Sequence, residues 1–214
     1  KIRKVVAATG ALETFADSDV SIPFGLYVSK TSGDVYFCNS GNNKVELIDV
    51  STTGPTGRST FAGSGSSSPL VAGTGVLATA ADIYYPSSIV ANSAETIFYV
   101  SVTKDYRIVA LTQEVPTAQP TVEPSFSPLA VGSHWYLSLF AGTGIAGSAG
   151  DSSPALEAEF NNPRAVWVDS SNTYLYVADY SGHRVRRIDL ATSIVGTFAG
   201  TGISGSSGDS GPAI

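Results

Sequence analysis

An all-β fold assembled from short antiparallel strands is what this sequence predicts, and three observations carry the prediction. First, three segments of the 214 residues align without a gap. Each opens at a proline (Pro23, Pro86, Pro163), meets a tyrosine 13 residues later (Tyr36, Tyr99, Tyr176) and a base eight residues further on (Lys44, Arg107, Arg184). A β-branched residue follows the base (Val45, Ile108, Val185), and Ile48, Leu111 or Ile188 stands three positions beyond it. Second, a Phe-Ala-Gly-Ser/Thr-Gly landmark recurs at 61–65, 140–144 and 198–202, with a weaker copy, Val6-Ala7-Ala8-Thr9-Gly10, near the start. Third, no segment holds a 3.6-residue apolar period over the length a helix needs.

Each repeat reads as four strands. The first follows the proline, at Leu26-Tyr27-Val28, Ser88-Ile89-Val90 and Ala165-Val166-Trp167-Val168. Polar turn residues separate it from the second, Val35-Tyr36-Phe37, Ile97-to-Val100 and Tyr174-to-Val177. These are β-branched and aromatic runs bounded by turn formers. The third strand spans 44–48, 107–111 and 184–188, and the fourth 58–62, 136–141 and 194–199. Residues 154–160 offer one helical turn at most. Four short strands recurring at a period of 55 to 79 residues make a propeller blade. The boundaries expected are a lead-in outer strand and linker at 1–22, blades at 23–65, 86–144 and 163–202, and a linker to a next blade at 203–214.

The repeats resemble NHL repeats. The resemblance rests on Tyr176-Val177-Ala178-Asp179-Tyr180-Ser181-Gly182-His183-Arg184-Val185-Arg186-Arg187-Ile188-Asp189, on the Phe198-Ala199-Gly200-Thr201-Gly202 that follows, and on the linker Gly147 to Pro163, echoed from Gly205 to Ala213. It spans the chain and is most degraded in the second repeat, where Val102 replaces the Asn39/Asp179 position. It implies a six-bladed ring, of which three blades are visible. A ring of that kind needs either further residues or another chain. The absence of Met and the opening Lys1-Ile2-Arg3-Lys4 lead to the expectation of a processed product or a window of a longer chain.

Composition narrows the function. The chain carries 12 Lys and Arg against 18 Asp and Glu, a net charge of −6 with no basic stripe, which argues against nucleic acid as the main partner. No apolar run approaches the ~18 residues of a membrane span. The single cysteine, Cys38, excludes a disulfide framework and aligns with Ser101 and Ala178, a packing position. His134 and His183 are too few for a His-rich zinc centre. The glycine loops at 142–144 and 200–202 are followed by no helix and no Gly-Lys-Ser/Thr, so they read as sharp turns and not as phosphate cradles. Asp151 and Asp209, in Gly-x-x-Gly-Asp loops, read as loop clamps ahead of Ca²⁺ ligands. Asn39 with Lys44, and Asp179 with Arg184, read as structural turn pairs.

No catalytic residue, metal ligand or cofactor site is therefore expected. The one feature outside the repeat is Val115-to-Pro128, where a proline stands at every fourth position within an insertion spanning 113–128. It favours an extended backbone and presents Thr117, Thr121, Ser125 and Ser127 to O-linked glycans or to a neighbouring chain. The expected function is a non-enzymatic, extracellular or cell-surface interaction or structural module. Its partners would be proteins, copies of itself among them, assembling through open blade edges into oligomers or fibrils. The alternative is a fragment of a propeller enzyme, a lyase or hydrolase, or of a receptor sensor domain whose site lies in other blades.

Overall fold

A computed structural model describes residues 1–6, 8–16, 18–51, 57–70, 74–113, 134–205 and 211–214. Strands β1 (Ile2–Val5) and β2 (Leu12–Ala16) form a hairpin of their own. Blade 1 contains β3 (Pro23–Val28), β4 (Val35–Asn39), β5 (Lys44–Ile48) and β6 (Arg58–Ala62), in that order across the sheet. Blade 2 contains β7 (Thr74–Leu77), β8 (Pro86–Ala91), β9 (Ile97–Val102), β10 (Arg107–Thr112) and β11 (Tyr136–Ala141). Blade 3 contains β12 (Pro163–Val168), β13 (Tyr174–Asp179), β14 (Arg184–Asp189) and β15 (Val195–Ala199). All pairings within these sheets are antiparallel. Among the described residues helical structure is confined to single 3-10 turns, including Ala155–Glu157. The chain is an all-β, propeller-type array of four-stranded antiparallel blades, the second of them extended by a fifth strand.

The sequence dictates where each blade begins. Proline lacks an N–H and belongs on a sheet edge, and Pro23, Pro86 and Pro163 each open the edge strand of their blade. The residue just before each is left-handed although it is not glycine, with φ of 46° at Ile22, 61° at Tyr85 and 56° at Asn162. That conformation is uncommon outside glycine and has to be held from outside. The residue two before each proline is gripped from both sides. The Ser21, Tyr84 and Asn161 amides donate to Asn39 Oδ1 at 2.8 Å, Asp105 Oδ2 at 3.2 Å and Asp179 Oδ1 at 2.6 Å. Their carbonyls accept from the Gly41, Lys104 and Ser181 amides. In the second repeat Asp105 thus takes over the task that Val102 cannot perform.

The period-2 alternation gives every blade a back face and a front face. Val35, Phe37 and Ile48 lie on the back of blade 1, while Tyr27, Tyr36 and Leu47 lie on its front. The front of blade 1 packs on the back of blade 2, around Phe98, Val100 and Leu111. The front of blade 2, with Tyr99, packs on the back of blade 3, around Leu175, Val177 and Ile188. Cys38 is fully buried in the first of these cores, and burial raises its thiol pKa far above the usual range. It is a packing residue.

Two elements differ from expectation. The strand expected to stand alone near the N-terminus pairs with β2, and Ile2, Phe15 and Ala16 of the hairpin pack on the back of blade 1. In the weaker copy of the glycine landmark, between the two strands of this hairpin, the Gly10 amide donates to the Val6 carbonyl at 2.7 Å. Blade 2 also carries a fifth strand, β7, on the outside of β11. It belongs to the linker between blades and is too short to show a period in the sequence. The linker into blade 3 does the same more briefly, through a single antiparallel bridge between Pro154 and Ile194.

The first glycine of each landmark is fixed by a close approach. Gly63, Gly142 and Gly200 have φ of 99°, 99° and 89°, and a Cβ would stand 2.3 to 2.5 Å from the carbonyl oxygens of Asn43, Tyr106 and His183. Those carbonyls belong to residues that are themselves left-handed, at 54°, 56° and 52°. Gly142→Ala is expected to destabilise the fold by roughly 2–4 kcal/mol. Gly196→Ala, where a Cβ meets nothing within 4 Å, is expected to stay within about 0.5 kcal/mol. Urea unfolding of the two variants side by side checks both.

Candidate functional site

The recurring base lies against the glycine loop of its own blade, and the two arginines also hold the linker that enters the blade. The Arg107 guanidinium donates to the Thr143 carbonyl at 2.9 Å and the Leu70 carbonyl at 2.7 Å, and Arg184 donates to the Ser148 carbonyl at 3.3 Å. A Cβ on Gly144 or Gly202 would lie 2.6 Å from the respective Nη2, and one on Gly65 would lie 3.2 Å from Lys44 Cε. The second glycine of the landmark makes room for the base. The direct turn pairs expected of Asn39 with Lys44 and Asp179 with Arg184 therefore resolve differently. Each is a register pair across its turn, but the base reaches the glycine loop while Asn39 and Asp179 hold the residue two before the proline.

Asp151 is a loop clamp. Its Oδ1 accepts from Arg186 Nη2 at 2.8 Å and its Oδ2 from Thr197 Oγ1 at 2.7 Å. Arg186 is completely buried and lies over the Phe160 ring. Blade 1 solves the same position with the opposite charge. Buried Glu46 accepts from Asn39 Nδ2 at 2.9 Å and pairs with Arg58 Nε at 2.7 Å. Burial pushes the Asp179 carboxyl up to about 6, against the Asn161 amide and the charges of Arg186, Arg184 and His183. Its Oδ2 is buried without a hydrogen-bond partner. His134 and His183 are both exposed. Thr117, Thr121, Ser125, Ser127 and Asp209 lie outside the described residues. No helix among the described residues is long and apolar enough to cross a membrane.

The structure brings together a different set of residues, which the sequence shows only as recurring landmarks. The repeating tyrosine and the phenylalanine of the glycine landmark form the same edge-on pair in every blade. Ring centroids are 4.8 Å apart for Tyr36–Phe61, 4.9 Å for Tyr99–Phe140 and 5.0 Å for Tyr176–Phe198, at 72°, 63° and 77°. Such a pair contributes about 0.5–1.5 kcal/mol beyond the area it buries. The next blade covers the first pair with Phe98 and Trp135, and Tyr27 adds an edge-on contact to Phe98 at 5.8 Å.

Polar ties repeat beside the rings. The Ser40 hydroxyl donates to the Pro86 carbonyl, and Thr103 Oγ1 to the Pro163 carbonyl at 2.8 Å. Asn172 Oδ1 in the first turn of blade 3 accepts from the Ser93 amide of blade 2 at 2.8 Å. Glu95, at the matching position of blade 2, accepts from the Lys30 amide at 2.6 Å and also from Tyr27, Ser29 and Thr31 of blade 1. Burial raises the Glu95 carboxyl, but these four donors outweigh it and bring it down to about 2.

On blade 3 the same face stands open. Trp167 occupies the register of Tyr27 and is 67% exposed, and Phe198 is 44% exposed. Tyr180 occupies the position of Ser40 and Thr103, is 58% exposed, and stacks under the Arg164 guanidinium at 3.8 Å. Arg187 lies over the Tyr174 ring at 4.4 Å. The linker has already begun as in the two closed junctions. The Gly200 amide donates to the Ala213 carbonyl, as Gly63 does to Ala78 and Gly142 to Ala155.

No family model matches the chain. Over 49 residues it is 49% identical to NHL repeat-containing protein 2 of Gallus gallus, and over 55 residues 42% identical to that of Bos taurus. These stretches are 23% and 26% of this chain, which spans 6–7% of the length of the curated relatives it matches. Among solved structures it is similar to an auxiliary nutrient binding protein of Bacteroides thetaiotaomicron, at a TM-score of 0.59 and 13% identity, over 91% of this chain and 39% of that one. The corresponding protein of Bacteroides ovatus gives 0.58 and 22%, over 86% and 42%. A chain of a nidogen/laminin complex gives 0.52 and 14%, over 88% and 51%. These likenesses place the fold among the β-propellers.

Two predictions follow from the junction chemistry. Glu95→Gln removes the charge from an acceptor with four donors and is expected to cost about 1–2 kcal/mol at neutral pH. Urea unfolding reads it, and the difference should vanish as the pH falls from about 4 towards 2. Asp179 has the opposite sign. A carboxyl raised from its ordinary value to about 6 is favourable to the fold while protonated, so its contribution is complete below about pH 4 and lost as the pH rises to 6. Asp179→Asn, which copies Asn39, is expected to flatten that stretch of the stability profile and to gain roughly 2 kcal/mol at pH 7.5.

Proposed function

We propose that this chain is an NHL-repeat propeller segment acting as a non-enzymatic protein-interaction or structural module outside the cell, with copies of itself among its partners. The observation that carries this reading is the open front of blade 3. It presents the Tyr176–Phe198 pair, whose counterparts the chain twice buries under the next blade, together with exposed Trp167 and Tyr180. Exposed aromatics with a neighbouring arginine are the residue types enriched where proteins meet. The local identity to NHL repeat-containing protein 2 supports the repeat assignment. The polar residues with distinctive surroundings, Glu95, Asp105, Asp151 and Asp179, are each engaged in holding a turn or a linker, which supports a structural over a catalytic use.

The extracellular placement draws on the Pro/Thr-rich segment 113–128, whose Thr117, Thr121, Ser125 and Ser127 suit O-linked glycosylation. Expression behind a secretion leader in animal cells tests it. Intact mass is expected to show hexosamine-containing increments that disappear when these four residues are changed to alanine. An unmodified secreted product would remove the glycan from the proposal. For the interaction itself, labelled chain is expected to bind immobilised chain in a concentration-dependent manner, and absence of binding would count against self-association.

A further inference from the structure

We propose that Asp179 and Arg186 form a pH-operated latch on the linker that enters blade 3. While Asp179 is protonated, Arg186 holds the linker through Asp151 and the Glu159 carbonyl. Ionisation of Asp179 draws the guanidinium inward, and the loop around Asp151 comes free. The latch works within one chain and does not depend on the interaction reading above.

The geometry leaves one atom of each residue without a partner. Asp179 is completely buried, its Oδ1 accepts from the Asn161 amide at 2.6 Å, and its Oδ2 has no hydrogen bond. Gly182 closes over that oxygen, where a Cβ would stand 2.3 Å away. Arg186 is equally buried. Its Nη1 donates to the Glu159 carbonyl at 3.2 Å and its Nη2 to Asp151 Oδ1 at 2.8 Å, while its Nε is buried without a partner. Blade 1 shows the neutral form of the same position. Asn39 Nδ2, the counterpart of Asp179 Oδ2, donates to the Asp19 carbonyl at 2.8 Å. Glu159 stands two residues before Asn161, as Asp19 stands two before Ser21. A protonated Asp179 therefore presents its O–H to the Glu159 carbonyl as Asn39 presents its N–H to that of Asp19.

An ionised Asp179 has no such bond to make, and a buried carboxylate without a partner is costly. The charged groups around it are Arg184 and Arg186 of β14 and His183 in the turn before that strand. Through Arg186 the linker adds Asp151 and Glu159. Arg184 is committed to the Ser148 carbonyl, and His183 is exposed. That leaves the Nε of Arg186 to neutralise Oδ2, and two carboxylates then compete for one guanidinium. The Asp151 side chain is 47% exposed and keeps water and Thr197 Oγ1 when Arg186 leaves, whereas Asp179 is sealed from water. The buried acid gains more from the pairing than the exposed one loses. Burial raises the Asp179 carboxyl to about 6, which sets the changeover between about pH 5 and 7.

Amide hydrogen exchange of the full chain at pH 5 and pH 7.5 tests this, with labelling times scaled to the intrinsic rate at each pH and circular dichroism confirming that each variant is folded. The linker amides of Ser152, Ala155 and Glu159, which donate to the Val195, Ser193 and Ala149 carbonyls, report the latch. Their protection is expected to fall at least about tenfold at the higher pH, while β9 and β10 keep theirs. Asp179→Asn is expected to keep the linker protected at both pH values, and Asp151→Asn to expose it at both. His183→Gln, which removes the other group titrating in this range, is expected to leave the pH dependence in place. Linker protection equal at the two pH values in the parent chain would overturn the latch. So would a loss shared equally by β9 and β10, since the whole fold would then be loosening. A pH dependence that survives Asp179→Asn, or disappears in His183→Gln, would overturn the assignment to Asp179. An Asp151→Asn linker as well protected at pH 5 as the parent's would overturn the hold of Arg186 through Asp151.

Discussion

A four-stranded blade has two apolar faces and can bury neither by itself, so everything in this molecule depends on the contact of one blade with the next. The contact is made by an edge-on tyrosine–phenylalanine pair on the front of one sheet and by branched or aromatic side chains on the back of the following one. Tyr36–Phe61 under Phe98 and Trp135 is its fullest version. The strained points of the backbone serve this contact. Left-handed Ile22, Tyr85 and Asn162 aim the opening proline of each blade at its edge position, and the landmark glycines let the outer strand leave over the carbonyl of another left-handed residue.

Charge in the molecule is spent on holding turns. Each blade fixes the residue two before its proline with one side chain, but the three solutions differ in electrostatics. Asn39 is neutral and leans on Glu46, Asp105 comes from a position three residues further along, and Asp179 is an acid whose carboxyl burial raises even beside Arg186. Between blades, the first junction is tied by the Glu95 carboxylate with four donors, and the second by Asn172 with Ser93, by the Ser87 and Thr103 hydroxyls on the Arg164 and Pro163 carbonyls, and by the Val166 amide on Ser88. The first tie is therefore built around a charge and the second around neutral groups.

Much of the candidate site was visible as spacing before it was visible as chemistry. Tyr176, Phe198 and Arg184 were landmarks because they recurred in register, and the alternation within Tyr174-Leu175-Tyr176-Val177 assigned them to opposite faces. What they touch was not in the pattern. Arg184 stands beside Asp179 across a turn, and proximity along the chain made that pair the natural expectation. The glycine loop that Arg184 lies against is close only after the outer strand has crossed the sheet, and the Ser148 carbonyl to which it donates belongs to the preceding linker. Glu95 and Asn172 carried no signal, since they lie in ordinary polar turns and meet their partners more than 60 residues away.

The sequence by itself determined the kind of strand, their number in each repeat and the direction each side chain takes, because period, turn chemistry and proline placement are local properties of a chain. Tertiary structure alone decided which faces are closed. Whether an aromatic pair is core or surface depends on what stands about a strand-layer away. Tyr36–Phe61 and Tyr176–Phe198 occupy the same repeat positions with closely similar geometry, yet the first is sealed beneath Phe98 and Trp135 and the second faces outward.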